Sequence, residues 1–112
     1  MVALTLVACE PVPEVLEVHG GDPQRGRLLI AGYGCSACHR IPGVALPAGS
    51  VGPDLAGFGR RAYIAGRLPN RPALLTQWLR NPTAVDPQTA MPDLGVSQEE
   101  ALHMAAYLYT LR

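Results

Sequence analysis

Apolar residues recur at the spacing of an α-helix in three segments of the chain, and no segment alternates convincingly as a β-strand. The first segment, residues 22–33, opens with an Asp-Pro pair that suits a capped helix start. The second covers residues 71–80, with Asn70 as its cap and a proline shortly after its end. The third, residues 97–111, opens with the capping box Ser-Gln-Glu-Glu. The pattern predicts an all-α domain with three main helices.

Small residues indicate where two of these helices meet. Gly26 interrupts the first helix, where a glycine costs about 1 kcal/mol relative to alanine. The last helix carries several alanines on its apolar face. We therefore expect the first and last helices to cross at close range at Gly26, with Met104 in the core and His103 at the surface.

The sequence Cys35-Ser-Ala-Cys38-His39 carries the most specific chemistry in the chain. C-x-x-C-H is the attachment pattern of c-type haem, in which each thiol forms a thioether and the histidine binds iron. The same two cysteines could form half of a zinc site or a thioredoxin-like redox pair. Zinc needs a second ligand pair, however, and Cys9 is the only other cysteine; the redox pair needs a βαβ setting that the pattern lacks.

Two long loops rich in Gly and Pro, residues 40–69 and 81–96, separate the helices. Loops of this length are unusual in a compact domain unless they pack on something else. The chain has 112 residues, of which 48% are hydrophobic but only 5% aromatic, so its own core is small and largely aliphatic. One covalent haem would complete the core, with the loops as walls of its pocket.

A second axial ligand opposite His39 would come from a methionine or a histidine, unless that position is open. The remaining candidates are few: Met1, Met91, Met104, His19 and His103. Met91 lies in a loop stiffened by the following proline, where a flexible thioether can be directed at iron. His19 is expected to be exposed in the leading segment.

The first 21 residues differ in character from the rest. Residues 1–8 form an apolar run like the core of a signal peptide, too short to span a bilayer. Leu-Val-Ala before Cys9 resembles a bacterial lipobox, although no basic residue precedes the run; a plain secretory signal or a buried thiol are the alternatives. Residues 9–21 read as a tether rich in Pro and Glu. We predict an extracytoplasmic domain, in the bacterial periplasm or on the outer face of the membrane, anchored by lipid on Cys9.

Charge is unevenly distributed although the formal net charge is zero. Eight arginines lie between Arg25 and Arg80, where Asp54 is the only acidic residue. This basic middle is either a docking face for an acidic partner or an ordinary solvated surface that also neutralises haem propionates.

From Gly21 to its C-terminus the chain resembles class I c-type cytochromes. The resemblance rests on a series of motifs in order: the C-x-x-C-H sequence, Gly52-Pro53-Asp54-Leu55, Met91-Pro92, and a final helix ending Ala106-Tyr107-Leu108. A further set is similar to the cytochrome c domain fused to subunit II of haem-copper (caa3-type) oxidases: Arg61, Ile64-Ala65-Gly66, Leu68-Pro69-Asn70, Trp78-Leu79 and Asn81-Pro82.

The resemblance implies a class I cytochrome c fold over residues 22–112, wrapped round one covalent haem with His39 and Met91 on iron. It implies that the Pro53 carbonyl accepts a hydrogen bond from His39 Nδ1. Four leucines would line the haem faces: Leu55, Leu68, Leu79 and Leu94. Arg61 would pair with a propionate, with Tyr63 a weaker candidate, and Trp78 would lie on the methionine side or simply pack in the core.

His/Met iron has no open position for a substrate, so the expected function is one-electron transfer and not catalysis. Its partners would be redox proteins, including a haem-copper oxidase, that donate and accept electrons in a respiratory chain. The alternative is a haem subunit bound permanently in a larger oxidoreductase. A third hypothesis, a haem enzyme or sensor, requires Met91 to dissociate.

Overall fold

The structure is a computed structural model that describes residues 2–4, 15–44 and 49–112. The described residues form four helices: α1 (Pro23–Gly32), α2 (Pro72–Arg80), α3 (Pro82–Val85) and α4 (Gln98–Thr110). Two 3₁₀ turns, Cys35–Ala37 and Phe58–Arg60, and one hairpin, β1 (Tyr63–Ile64) and β2 (Leu68–Pro69), lie between α1 and α2. The three predicted main helices are present, and α3 adds one short turn.

Side-chain caps define the starts of α1 and α4 as the sequence predicts. The Asp22 carboxylate accepts a hydrogen bond from the Gln24 N–H at 2.9 Å. Ser97 and Glu100 form the reciprocal capping box, each side chain accepting from the other's backbone N–H at 3.1 Å. The Tyr33 hydroxyl also donates to the Glu100 carboxylate at 2.7 Å, which lowers the pKa of Glu100 and joins the end of α1 to the start of α4.

The crossing of α1 and α4 forms the centre of the domain. Gly26 is buried, and a Cβ at this position would overlap the backbone carbonyl of His103, which confirms the predicted close approach. Met104 is buried in the core, as expected. The surface prediction for His103 is wrong: its ring is buried, and Nδ1 accepts a hydrogen bond from the Asp22 N–H at 2.9 Å across the helix crossing.

The predicted cap of α2 is wrong. Arg71 occupies the N-cap position without a side-chain hydrogen bond, and α2 begins at Pro72. Asn70 is instead buried, and its carboxamide faces inward. Its Nδ2 donates to the carbonyls of Phe58 and Arg61, and its Oδ1 accepts from the Tyr109 hydroxyl on α4. A residue expected to serve a local helix end therefore joins distant parts of the chain.

The structure also contains a hairpin that the sequence pattern does not predict. β1 and β2 pair antiparallel, with Ile64 opposite Leu68, and Ile64 is buried. Ala65 and Gly66 turn the chain with positive φ angles of 51° and 67°. Two-residue strands are too short to display an alternating pattern, and alanine is not a typical residue for a left-handed turn.

The leading segment packs on the domain before α1 begins. Within the predicted tether, residues 9–14 lie outside the described residues, as does the lipidation candidate Cys9. Val18 is buried, Leu16 packs against the core, and a Cβ on Gly21 would lie 2.6 Å from the Leu102 carbonyl oxygen. The chain from Leu16 onward therefore belongs to the folded domain, while His19 is exposed as expected. Among the residues described here, no helix has the length and apolar character needed to cross a membrane.

Candidate functional site

The C-x-x-C-H motif forms a single tight turn directly after α1. Gly34 adopts a left-handed φ of 75° and reverses the chain, and the Cys35 carbonyl then accepts a hydrogen bond from the His39 N–H at 3.0 Å. The Cys35 and Cys38 thiols are both free and half-buried. Burial raises the pKa of the Cys35 thiol, which keeps it protonated at neutral pH. One turn thus carries two thiols and an imidazole within five residues.

A second segment runs alongside this turn and is held to it by the backbone. Three hydrogen bonds join the two segments: Gly49 N–H to the Ser36 carbonyl at 2.9 Å, Gly52 N–H to the Cys38 carbonyl at 2.7 Å, and Leu55 N–H to the Arg40 carbonyl at 2.8 Å. Such pairing fixes the register of the two segments. It places Pro53 beside His39.

His39 is oriented by the carbonyl of Pro53. The ring Nδ1 lies 2.8 Å from the Pro53 carbonyl oxygen. A carbonyl only accepts hydrogen bonds, so Nδ1 carries the proton, and Nε2 is the ring nitrogen left to bind a metal. A metal-binding histidine commonly has its other ring nitrogen held in this way. The hydrogen bond implied by the family resemblance is therefore present, and the ring is in the tautomer that a metal ligand requires.

Gly52 closes the space behind the His39 ring. A Cβ at position 52 would lie 2.6 Å from Nδ1 and 2.8 Å from Nε2, well inside van der Waals contact. In the sequence, Gly52 is part of a family motif, but no role is predicted for it. The Gly-Pro pair was the available signal, because a glycine often marks a close approach of the backbone.

The apolar residues predicted to line the pocket come from four parts of the chain. Trp78 and Leu79 on α2 are buried, while Leu55, Leu68 and Met91 are half-buried against the core. Leu55, Leu68 and Met91 therefore each leave part of their apolar surface uncovered.

Two other predicted site residues are exposed. Leu94 is 42% exposed and Tyr63 is 61% exposed. Neither is held in place by the core packing that fixes Trp78 and Leu79. Their contact with a bound group stays a prediction.

Arg61 is directed at the loop that carries Pro53. Its guanidinium donates hydrogen bonds to the backbone carbonyls of Asp54 and Ala56 and lies 5.9 Å from the centre of the Phe58 ring. The Asp54 carboxylate accepts from the Ala56 N–H at 2.8 Å, which tightens the same turn. The predicted pairing of Arg61 with a propionate stays a prediction. The hydrogen bonds of the Arg61 side chain go to the loop that carries Pro53.

The zinc and thioredoxin-like alternatives gain no support from the geometry. Over residues 2–4, 15–44 and 49–112, no three His, Cys, Asp or Glu side chains converge as metal ligands would. Cys35, Cys38 and His39 therefore do not converge on one point, as a compact zinc site requires.

Comparison with known proteins identifies a curated relative of part of the chain. No family model matches the chain. The chain is 33% identical over 89 residues to "Cytochrome c oxidase subunit 2" of Alkalihalophilus pseudofirmus. The alignment covers 79% of this chain but 25% of that protein, so the chain spans about a quarter of its relative's length.

Replacing Gly52 with alanine tests the packing behind His39. We expect Gly52→Ala to displace the ring, weaken the bond to Pro53 and lower the free energy of unfolding by about 1–3 kcal/mol, as overpacking does. Gly32 at the end of α1 is the matched control, because a Cβ there meets open space. Gly32→Ala should leave stability unchanged or raise it by up to about 1 kcal/mol. Denaturant titration measures both; equal stability of Gly52→Ala and the parent would contradict the packing argument.

Proposed function

We propose that the chain is a class I c-type cytochrome domain that carries one covalent haem and transfers single electrons. The observation that carries this proposal is the C-x-x-C-H turn with His39 held by Pro53 in the metal-binding tautomer. The chain's similarity to part of a cytochrome c oxidase subunit 2 supports the same class of function. The proposal includes a class I cytochrome c fold for residues 22–112.

In this proposal each part of the site has one task. Cys35 and Cys38 form the thioether links, while His39 Nε2 and the Met91 thioether bind iron. The half-buried leucines and the buried Trp78 exclude water from the haem faces. When bound, the haem supplies a reversible Fe²⁺/Fe³⁺ couple, and a methionine ligand raises its potential relative to a second histidine. The chain's residues hold the couple, shield it and set its potential.

The pathway is respiratory electron transport with redox proteins as partners, a haem-copper oxidase among them. The chain's similarity to a quarter of a longer oxidase subunit also favours a second candidate, a haem c subunit held permanently in an oxidoreductase complex. Purification of the native chain distinguishes the two: a carrier elutes alone, and a subunit elutes with its complex. A haem enzyme or sensor with a labile Met91 is the remaining candidate, and resistance of the ferrous protein to carbon monoxide at neutral pH would exclude it.

Covalent attachment is the first test of the proposal. Protein made in a host that matures c-type cytochromes should keep its haem through denaturation and acid–acetone extraction, because thioethers survive both. Cys35→Ser with Cys38→Ser should release it completely. An optical spectrum of the denatured protein measures the retained haem. Recovery of the parent chain without covalent haem would contradict the proposal.

Met91→Ala tests the second axial ligand. Opening the iron should allow the ferrous protein to bind carbon monoxide at neutral pH and should lower the potential, whereas the parent resists carbon monoxide. Met104→Leu is the matched control, because Met104 is a buried core methionine and its loss leaves the iron unchanged. Optical titration and potentiometry measure both effects. An unchanged spectrum and potential in Met91→Ala would assign the sixth position to another residue.

Membrane attachment through Cys9 completes the proposal for an extracytoplasmic domain. An acyl chain on Cys9 would hold the domain at the outer face of the membrane, and a second signal would strengthen the attachment. Cell fractionation tests this: Cys9→Ser should move the protein from the membrane to the soluble fraction. Retention of the variant in the membrane fraction would mean that something other than this thiol anchors it.

A further inference from the structure

We infer that Asn70 is a positioning residue for His39, acting through Arg61 on the loop whose Pro53 carbonyl holds the imidazole. The inference rests on the proposed function, since His39 matters chiefly as an iron ligand. It assigns a role to a side chain that sequence patterns place at a helix cap.

The Asn70 carboxamide is buried and each of its ends is used. Nδ2 donates to the Phe58 carbonyl at 3.2 Å and to the Arg61 carbonyl at 3.0 Å. Oδ1 accepts from the Tyr109 hydroxyl at 3.0 Å. The Phe58 and Arg61 carbonyls can only accept hydrogen bonds, so the end of the carboxamide that faces them is the NH₂ group. The carboxamide oxygen therefore faces the Tyr109 hydroxyl. A buried polar group satisfied in this way holds its neighbours in one arrangement.

The anchor of this network is Tyr109 in α4. Its side chain is fully buried, and its ring lies 6.1 Å from that of Phe58. Burial raises the pKa of Tyr109 to about 12, so the hydroxyl stays protonated and remains a donor near neutral pH. The hydrogen bond therefore originates from a rigid helix packed against α1. Asn70 transfers that rigidity to residues 58–61.

Arg61 carries the connection to the site. Asn70 holds its backbone carbonyl, while its guanidinium holds the carbonyls of Asp54 and Ala56. The Arg61 side chain thus joins the end of the loop between Pro53 and Arg61 to its beginning. Asn70 holds the Arg61 end of this loop. Asp54 directly follows Pro53, so the orientation of their shared peptide sets where the Pro53 carbonyl points. That carbonyl is the acceptor for His39 Nδ1.

Loss of the Asn70 hydrogen bonds should therefore weaken the His39–Pro53 hydrogen bond, although neither His39 nor Pro53 is changed. The Nδ1 proton would then exchange with solvent more often. Outer contacts of this kind orient a metal-binding histidine and tune its basicity. Replacing a residue with a purely structural role would lower the free energy of unfolding. It would speed exchange of the His39 Nδ1 proton only as much as that loss of stability accounts for.

The test compares three variants of the haem-loaded protein. Asn70→Ala removes the carboxamide, and Tyr109→Phe removes only the anchoring hydroxyl. Thr76→Val is the matched control, because the buried Thr76 hydroxyl donates to the Ala73 carbonyl within α2, away from the loop. NMR measures solvent exchange of the His39 Nδ1 proton, and denaturant titration measures the stability of each variant.

We expect exchange about tenfold faster in Asn70→Ala, the scale of one lost hydrogen bond, and a smaller acceleration in Tyr109→Phe. Thr76→Val should change exchange less than about twofold, even at comparable loss of stability. Should Asn70→Ala fail to fold, Tyr109→Phe alone decides. Unchanged exchange in Tyr109→Phe, or equal acceleration in Thr76→Val, would overturn the positioning role.

Failure of this inference is distinguishable from failure of the proposed function. A parent protein with covalent haem and a histidine-ligated spectrum, but exchange insensitive to Asn70 and Tyr109, would remove the positioning role alone. A parent protein without covalent haem would contradict the proposed function and, with it, the premise of the inference.

Discussion

The hydrogen bond from His39 Nδ1 to the Pro53 carbonyl is the contact on which the candidate site depends. It determines the tautomer of the ring, and so which nitrogen is available to a metal. Its geometry requires the two segments around residues 38 and 52 to stay in register, which their backbone hydrogen bonds ensure. It also requires a residue without a side chain at position 52, because the imidazole occupies that space. Several features of the loop follow from this one bond.

The apolar part of the site follows from the composition of the chain. A core built mainly from aliphatic side chains leaves Leu55, Leu68 and Met91 only half covered, although all three pack against it. In a chain of this size the margin of stability is small, so incompletely covered apolar surface matters. A planar group covering that surface would therefore contribute to the fold as well as to the chemistry. Attachment at Cys35 and Cys38 would keep it there.

Local signals explain what the sequence could predict. The caps of α1 and α4 use side chains within three residues of the helix start, and Gly26 reports a crossing because only one residue type fits there. The cap prediction for Asn70 is wrong for the opposite reason: its partner Tyr109 is 39 residues away, and an asparagine before a helical segment has the appearance of a cap. The surface prediction for His103 is wrong because its acceptor role toward Asp22 depends on the helix crossing itself.

The final helix connects the core with the site, which explains why buried polar groups lie in so small a domain. Its first turn is fixed to α1 through Glu100 and Tyr33, and its last turn reaches the loop through Tyr109 and Asn70. A purely apolar contact at Asn70 could be as stable, but it would leave the loop free to adopt several arrangements. Directed hydrogen bonds select one of them. For a site whose chemistry depends on the direction of a single carbonyl, that selection matters more than the stability it adds.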